Sequence, residues 1–401
     1  MTPAQALAWP VAARAAVMRT QGDDEVTKLF AKSAAAACLA LTAAPALAGE
    51  VVYSSFLPST HPDVEVVMGG FARDLSERSG GAQSISITAG GALASAASTL
   101  DAIVKGSVDA GGIVYNYSPS LAPAVALVGD MPGKIQQVAA AAAAETLLVD
   151  CAECREEMER VGFQVVLNQS TEPFSLICHG RSVASLDDFR GLKVRATGAL
   201  ARMVQNLGGT PVNITFAEVY EGLQRGQVDC TASGAASLRG MQFWDVTDTV
   251  TTDFPMGTVH GYGLLTINGE LWADLSAEDK RLWLDLGAEY LARGARQTLS
   301  DSSEAMRIAL ADKGMEAVPA DAELRAALDA AFSAQVQAAM ASAAERGVKD
   351  PQAIADAWFA NVEKWTAIYE EIGGDGEWTD AQWAEYAARA KAEIYDKVPL
   401  D

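Results

Sequence analysis

Val194-Arg-Ala-Thr-Gly-Ala-Leu-Ala201 has an echo earlier in the chain, Ile87-Thr-Ala-Gly-Gly-Ala-Leu-Ala94. Each is a short apolar strand that ends in a glycine turn and leads into a helical stretch. Gly106-Ser-Val-Asp109 follows the first and Gly226-Gln-Val-Asp229 the second. In each the glycine suits a left-handed helix C-cap, and Val-Asp steps into another strand. Such βαβ-like units imply parallel strands and right-handed crossovers. Their separation is too long for a solenoid repeat. The echo therefore reads as two similar α/β lobes; chance likeness of short Gly/Ala-rich strings is the competing reading. On this alignment Arg195 falls opposite Thr88.

The flanking sequence extends the plan. Val51–Leu57 reads as a strand ended by Pro58. Pro62–Ser79 reads as an amphipathic helix with Val64, Val67, Met68, Phe71 and Leu75 on one face. Val161–Asn168, Phe174–Cys178, Leu192–Ala196 and Tyr262–Ile267 read as strands. Ser276-Ala-Glu-Asp279 resembles a capping box ahead of a helix over Lys280–Leu299. Beyond Asp321 the pattern is helical, with Asp350-Pro351 and Thr379-Asp380 as caps. No Pro/Ser linker divides the chain, so one bilobed body is expected. The expected layout is an uncertain extension over 1–25, a signal over 26–48, a first lobe over 49–172 plus about 261–300, a second over 173–260 plus about 301–350, and a C-terminal helical extension over 351–401.

The composition narrows the function. The 401 residues carry 30 Lys+Arg against 52 Asp+Glu, a net charge of −22. So acidic a surface argues against nucleic-acid binding, which needs dense basic side chains. No apolar run reaches the ~20 residues of a membrane-spanning helix. Lys28 and Lys32 precede the apolar run Ser33–Ala48, which ends Ala46-Leu47-Ala48. A charged region, an apolar region and a small-residue cleavage site compose a secretory signal, so a periplasmic location is expected. A buried Ala-rich helix is the plainer alternative. A lipoprotein signal at Cys38 fits less well, because Ala35 stands where an apolar residue belongs.

Cys151, Cys154, Cys178 and Cys230 remain after the signal. An even count in an exported chain favours two structural disulfides, with three possible pairings. Free buried thiols are a second reading. A redox or metal role for Cys151-Ala-Glu-Cys154 is a third, disfavoured because the motif falls inside the helical stretch Glu145–Arg160 with no His nearby. The three histidines, His61, His179 and His260, form no catalytic or metal motif, and there is no P-loop, no GxSxG and no dinucleotide fingerprint. No enzymatic activity and no cofactor are expected. Arg195 stands out, because it ends a strand just before a glycine turn. In open α/β sheets ligands bind beyond the carboxyl ends of strands, and a guanidinium matches a carboxylate with two parallel hydrogen bonds. A salt bridge or a solvated strand end is the bland alternative.

Leu186-Asp-Asp-Phe-Arg-Gly-Leu-Lys-Val-Arg195, Gly208-Gly-Thr-Pro211 and Phe216-Ala-Glu-Val-Tyr-Glu-Gly-Leu-Gln-Arg-Gly-Gln-Val-Asp229, with His61-Pro62 and Gly80-Gly81 before them, have an order and spacing that resemble the solute-binding subunits of tripartite ATP-independent periplasmic (TRAP) transporters. The likeness covers roughly Val51–Leu299. It implies a two-lobed periplasmic-binding-protein fold with hinge crossings and a long spanning helix, and an organic acid as ligand. It implies that Arg195 grips the carboxylate, with Phe216 as an apolar contact. Ser233 stands where many members carry an asparagine, and Ser175 near where some carry a second arginine, which favours a monocarboxylate. Phe56, Tyr115 and Asn116 fall on segments that line the family's cleft, while Glu218 and Tyr220 fit packing roles. The implied partners are the small carboxylate and the membrane subunits of a TRAP transporter. Amphipathic helices clamped over the lobes are expected of the C-terminal tryptophans, and a monomer in preference to a dimer. A ligand sensor or a subunit of another transporter class is the nearest rival, and an exported CxxC redox protein a more distant one.

Overall fold

The structure, a computed structural model, describes residues 49–400. The expected signal over 26–48, the extension over 1–25 and Cys38 lie outside the described residues. Eleven strands are present among the described residues: β1 (Val51–Ser54), β2 (Ile85–Thr88), β3 (Ala110–Val114), β4 (Phe163–Gln169), β5 (Ser175–Cys178), β6 (Lys193–Arg195), β7 (Thr210–Val212), β8 (Cys230–Ser233), β9 (Thr249–Thr252), β10 (Tyr262–Asn268) and β11 (Glu316–Pro319). They form two sheets, ordered β2-β1-β3-β10-β4 and β11-β9-β5-β8-β6-β7. Helices pack on both, so the fold is two-lobed α/β.

The internal repeat exists, but its register differs from the sequence reading. In the first sheet β1 lies parallel between β2 and β3, and in the second β6 lies parallel between β7 and β8. The counterpart of β6 is therefore β1, not β2. A hydrogen-bond signature fixes the match. Asp109 accepts the Val52 N–H at 2.8 Å and donates its own N–H to the Val52 carbonyl at 3.1 Å. Asp229 does the same with Lys193, at 2.9 and 2.8 Å. Ser54, not Thr88, is thus the counterpart of Arg195. The sequence misled because β2 also ends in a Gly turn, although it is an edge strand.

Two chain crossings join the lobes, one between β4 and β5 and one between β9 and β10. They are tied to each other: Thr171 N–H donates to the Val259 carbonyl at 3.0 Å, and Phe174 N–H to the Gly257 carbonyl at 2.8 Å. A third connection is the helix Ala277–Ala311, capped by Ser276 accepting the Asp279 N–H. Trp283, Leu284 and Leu291 of this helix enter the core of the first lobe, and Ala305 and Ala309 that of the second. The helix continues past Leu299 because burial of Ala305 and Ala309 outweighs the weak helix propensity of Ser300, Ser302 and Ser303.

The stretch Pro62–Ser79 buries its expected face. It opens with a wide π turn over Asp63–Met68 before the helix Gly69–Arg78. Trp358 and Trp365 of the helix Pro351–Ile372, Trp378 of the loop after it and Trp383 of the helix Asp380–Glu393 are buried in the core of the first lobe. Cys178 pairs with Cys230 across β5 and β8, and Cys151 pairs with Cys154. The CxxC does not lie inside a continuous helix. Cys151 is extended and caps the helix Ala152–Val161, its sulfur accepting the Cys154 N–H. Both sulfurs are buried.

His260 stacks on Trp358 at 4.3 Å between ring centroids. It is fully buried, and burial lowers its pKa from 6.5 to about 4 despite hydrogen bonds at both ring nitrogens. The unfolded chain therefore binds a proton below its ordinary value that the folded chain refuses. The native state should lose about 2–3 kcal/mol from this group between about pH 7.5 and about pH 4.5. The buried carboxyls of Glu157 and Glu172, raised by desolvation, act with the opposite sign: their contribution is present in acid and lost as pH rises. Denaturant unfolding of wild type and His260→Gln at both pH values isolates the histidine. The variant's acid loss should be smaller by that amount, and equal losses would refute the assignment.

Candidate functional site

The carboxyl ends of β1, β3 and β6 face a cleft between the lobes, as the repeat dictates. Its cavity leaves about 110 Å³ open to the centres of water molecules, where one water needs ~10–15 Å³. Phe56, Tyr117 and Tyr262 line it from the first lobe, Arg195, Thr197 and Phe216 from the second. Glu172 and Val259 of the crossings and Asp301 of the long helix complete the wall.

Arg195 is 3% exposed and ends β6. Its Nε donates to the Ile214 carbonyl at 3.0 Å, and its Nη2 to the Tyr117 hydroxyl at 2.9 Å. Two of five N–H donors are thereby used. Among the described residues no carboxylate lies within 4.0 Å of the guanidinium, so it forms no internal salt bridge. Its carbon sits 5.7 Å from the Phe216 ring centroid, and Phe216 is in turn held edge-on by Phe243. Thr215 and Glu218 close a capping box that sets the Phe216 turn. Hydrogen bonds from Thr215 lower the Glu218 carboxyl, helped by the nearby Arg195.

Tyr117 was not visible in the sequence as a site residue. Its hydroxyl accepts from Arg195 and, at 3.2 Å, from the Phe216 N–H, which leaves its own proton to donate. It reaches the cleft because Tyr115–Tyr117 forms a tight turn after β3. The turn sends Tyr115 into the core, where its hydroxyl donates to Asn168 Oδ1 at 2.8 Å. Asn116 lines a smaller neighbouring cavity of about 20 Å³. Ser233 is fully buried and bonded to the Thr231 hydroxyl at 2.7 Å; Ser175 lies opposite it in the β5–β8 ladder. Of the expected residues, Arg195, Phe216 and Phe56 are thus brought together on the cavity, and Tyr115, Asn116, Ser233 and Ser175 are not among its lining.

Glu172 was also missed. Its signal was a lone acid beside Pro173 in an otherwise uncharged crossing. It packs on Gly234, where an added Cβ would collide with its carboxylate, and it accepts the Ala236 N–H at 2.9 Å. The lobes touch elsewhere through Asp130, which accepts from Arg202 at 3.1 Å and from the Ala199 N–H at 3.2 Å.

Two lobes, paired crossings and a cavity at the strand ends define a solute-binding protein. Residues 53–343 match the family described as DctP, bacterial extracellular solute-binding protein, family 7, and the chain belongs to it. A solute-binding protein of Albidiferax ferrireducens is 22% identical over 220 residues, 55% of this chain and 64% of that one. A solute-binding protein of Sulfitobacter sp. (strain NAS-14.1) is 30% identical over 114 residues, 28% of this chain and 34% of that one. The chain thus spans between about a third and two thirds of these curated relatives. Among solved structures, a TRAP periplasmic solute-binding protein of Bordetella bronchiseptica with bound (R)- and (S)-mandelate superposes with a TM-score of 0.67 at 23% identity, covering 79% of this chain and 99% of that one. A TRAP solute-binding protein from an unidentified marine microbe, specific for aromatic acid ligands, gives 0.69 at 21%, with the same coverage. The expected fold is thereby met.

Proposed function

We propose that the protein captures a small organic acid outside the cytoplasm and delivers it to the membrane subunits of a TRAP-type secondary transporter. The observation that carries this reading is Arg195, a buried guanidinium with no internal carboxylate partner, on the wall of an interlobe cavity. Two of its remaining N–H groups take the carboxylate, and Tyr117 donates a further hydrogen bond. Phe56 and Phe216 supply apolar contact. The relatives in complex with mandelate and with aromatic acids support this ligand class.

The lobes, divided at the two crossings as the sequence reading divides them, open to admit ligand and close over it. Closure excludes water and strengthens every charge interaction inside. The signal over 26–48 directs the chain to the periplasm, where it acts as a monomeric receptor and not as an enzyme. Charge-assisted hydrogen bonds contribute roughly 1.5–3 kcal/mol each, and micromolar binding needs about 8 kcal/mol. The aromatic walls must therefore supply part of the affinity. Mass spectrometry of small molecules retained through purification, followed by calorimetric titration of the acid found, tests the reading. A retained solute with no carboxylate, or no stabilisation by any organic acid of a broad panel, would overturn it.

A further inference from the structure

Asp63 of the π turn, Glu172 of the first crossing and Asp301 of the long helix line the same cavity as Arg195. Three elements thus contribute three acids to it. Among the described residues none has a Lys or Arg within 4.0 Å, and the one charged neighbour is His61, 3.8 Å from Asp63. The Asp63 backbone N–H donates to His61 Nδ1 at 3.2 Å. Burial raises the Asp63 carboxyl, His61 lowers it and Asp301 raises it; burial raises Glu172, hydrogen bonds such as that from the Ala236 N–H lower it, and Asp63 raises it. The three acids therefore sense one another. They do not converge as metal ligands: among the described residues no group of three His, Cys, Asp or Glu side chains could hold an ion.

The Tyr262 hydroxyl belongs to a cavity-lining side chain that is 7% exposed, and it has no hydrogen-bond partner. Burial raises its pKa, and Asp63 raises it further. The cavity thus holds a guanidinium with no carboxylate partner and three acids with no Lys or Arg partner.

Resting on the carboxylate-capture reading, we infer that the ligand is a zwitterion: a small acid whose carboxylate meets Arg195 and whose cationic nitrogen meets Asp63, Glu172 and Asp301. An amino acid or betaine-like solute has this chemistry. A plain acid would leave the three acids uncompensated, and a dianion would be repelled by them. Charge-assisted hydrogen bonds at both charged groups would fix the ligand's orientation.

Matched pairs titrated by calorimetry test this: 5-aminopentanoate against pentanoate, proline against cyclopentanecarboxylate, and 4-(aminomethyl)benzoate against 4-methylbenzoate. The pairs differ in the span between the two charged groups. In at least one pair the zwitterion should bind about tenfold or more tightly than its partner. Asp63→Asn and Glu172→Gln should each narrow that advantage about fivefold, with circular dichroism confirming folded protein. Should plain acids bind as well as or better than their amino counterparts in every pair, the inference fails while carboxylate capture stands. Binding by no member of any pair overturns both readings. The wild-type comparison decides the inference even if a variant does not fold.

Discussion

Arg195→Ala will weaken binding of the carboxylate ligand at least tenfold, and about 100-fold or more if two of its three free N–H groups go to one carboxylate, at roughly 1.5–3 kcal/mol each. The side chain is fixed by Ile214 and Tyr117 before any ligand arrives, so little entropy is lost on binding. Arg195→Lys should fall between wild type and alanine, because an ammonium is a point charge and cannot present two parallel donors. The alanine variant also loses the cross-lobe bond to Tyr117. Unfolding of the ligand-free variants must therefore be measured alongside calorimetry. An affinity within threefold of wild type in a folded Arg195→Ala variant would remove the guanidinium from the site and with it the ground for the proposed function.

Trp365→Ala will cost about 3–5 kcal/mol of stability, the range for emptying a buried tryptophan site. Trp365 is buried in the core of the first lobe and meets Tyr386 edge-on at 5.9 Å. Its indole N–H donates at 2.7 Å to the buried Glu145, which also holds Lys364 at 2.8 Å. Trp365→Phe keeps most of the volume but strands one acceptor of that carboxylate, so about 1–3 kcal/mol is expected. Urea unfolding followed by circular dichroism measures both. A loss below about 1 kcal/mol for the alanine variant would show that the C-terminal helices lie on the lobe without belonging to its core.

How much of this was legible beforehand differs from residue to residue. Arg195 was readable because two local signals coincided, a strand end and a glycine turn, and ligand sites follow strand ends in this architecture. Phe216 and Phe56 came with the family's spacing. Tyr117 was not readable, because a single tight turn decides which of Tyr115, Asn116 and Tyr117 faces the cleft, and nothing in Tyr-Asn-Tyr declares it. The capping residues Ser276, Asp350 and Thr379 were legible, since a cap is a contact over three residues. The repeat was legible as a repeat but not in register. Two glycine turns look alike whether the strand before them is central or at an edge, and strand order is set by hydrogen bonds between distant segments.

By itself the sequence determined the class of fold, many of the strands and helices that build it, and the place of Arg195 at a strand end before a glycine turn. These depend on period, caps and turn chemistry, all of which act over a few residues. Only the tertiary structure decided the pairing of Cys178 with Cys230, the match of Ser54 to Arg195, and the gathering of Asp63, Glu172 and Asp301 around one cavity. Those three acids lie far apart along the chain, and no local rule links them. They meet because the hinge and the long helix close one cavity, where burial turns ordinary surface charges into a demand for a partner.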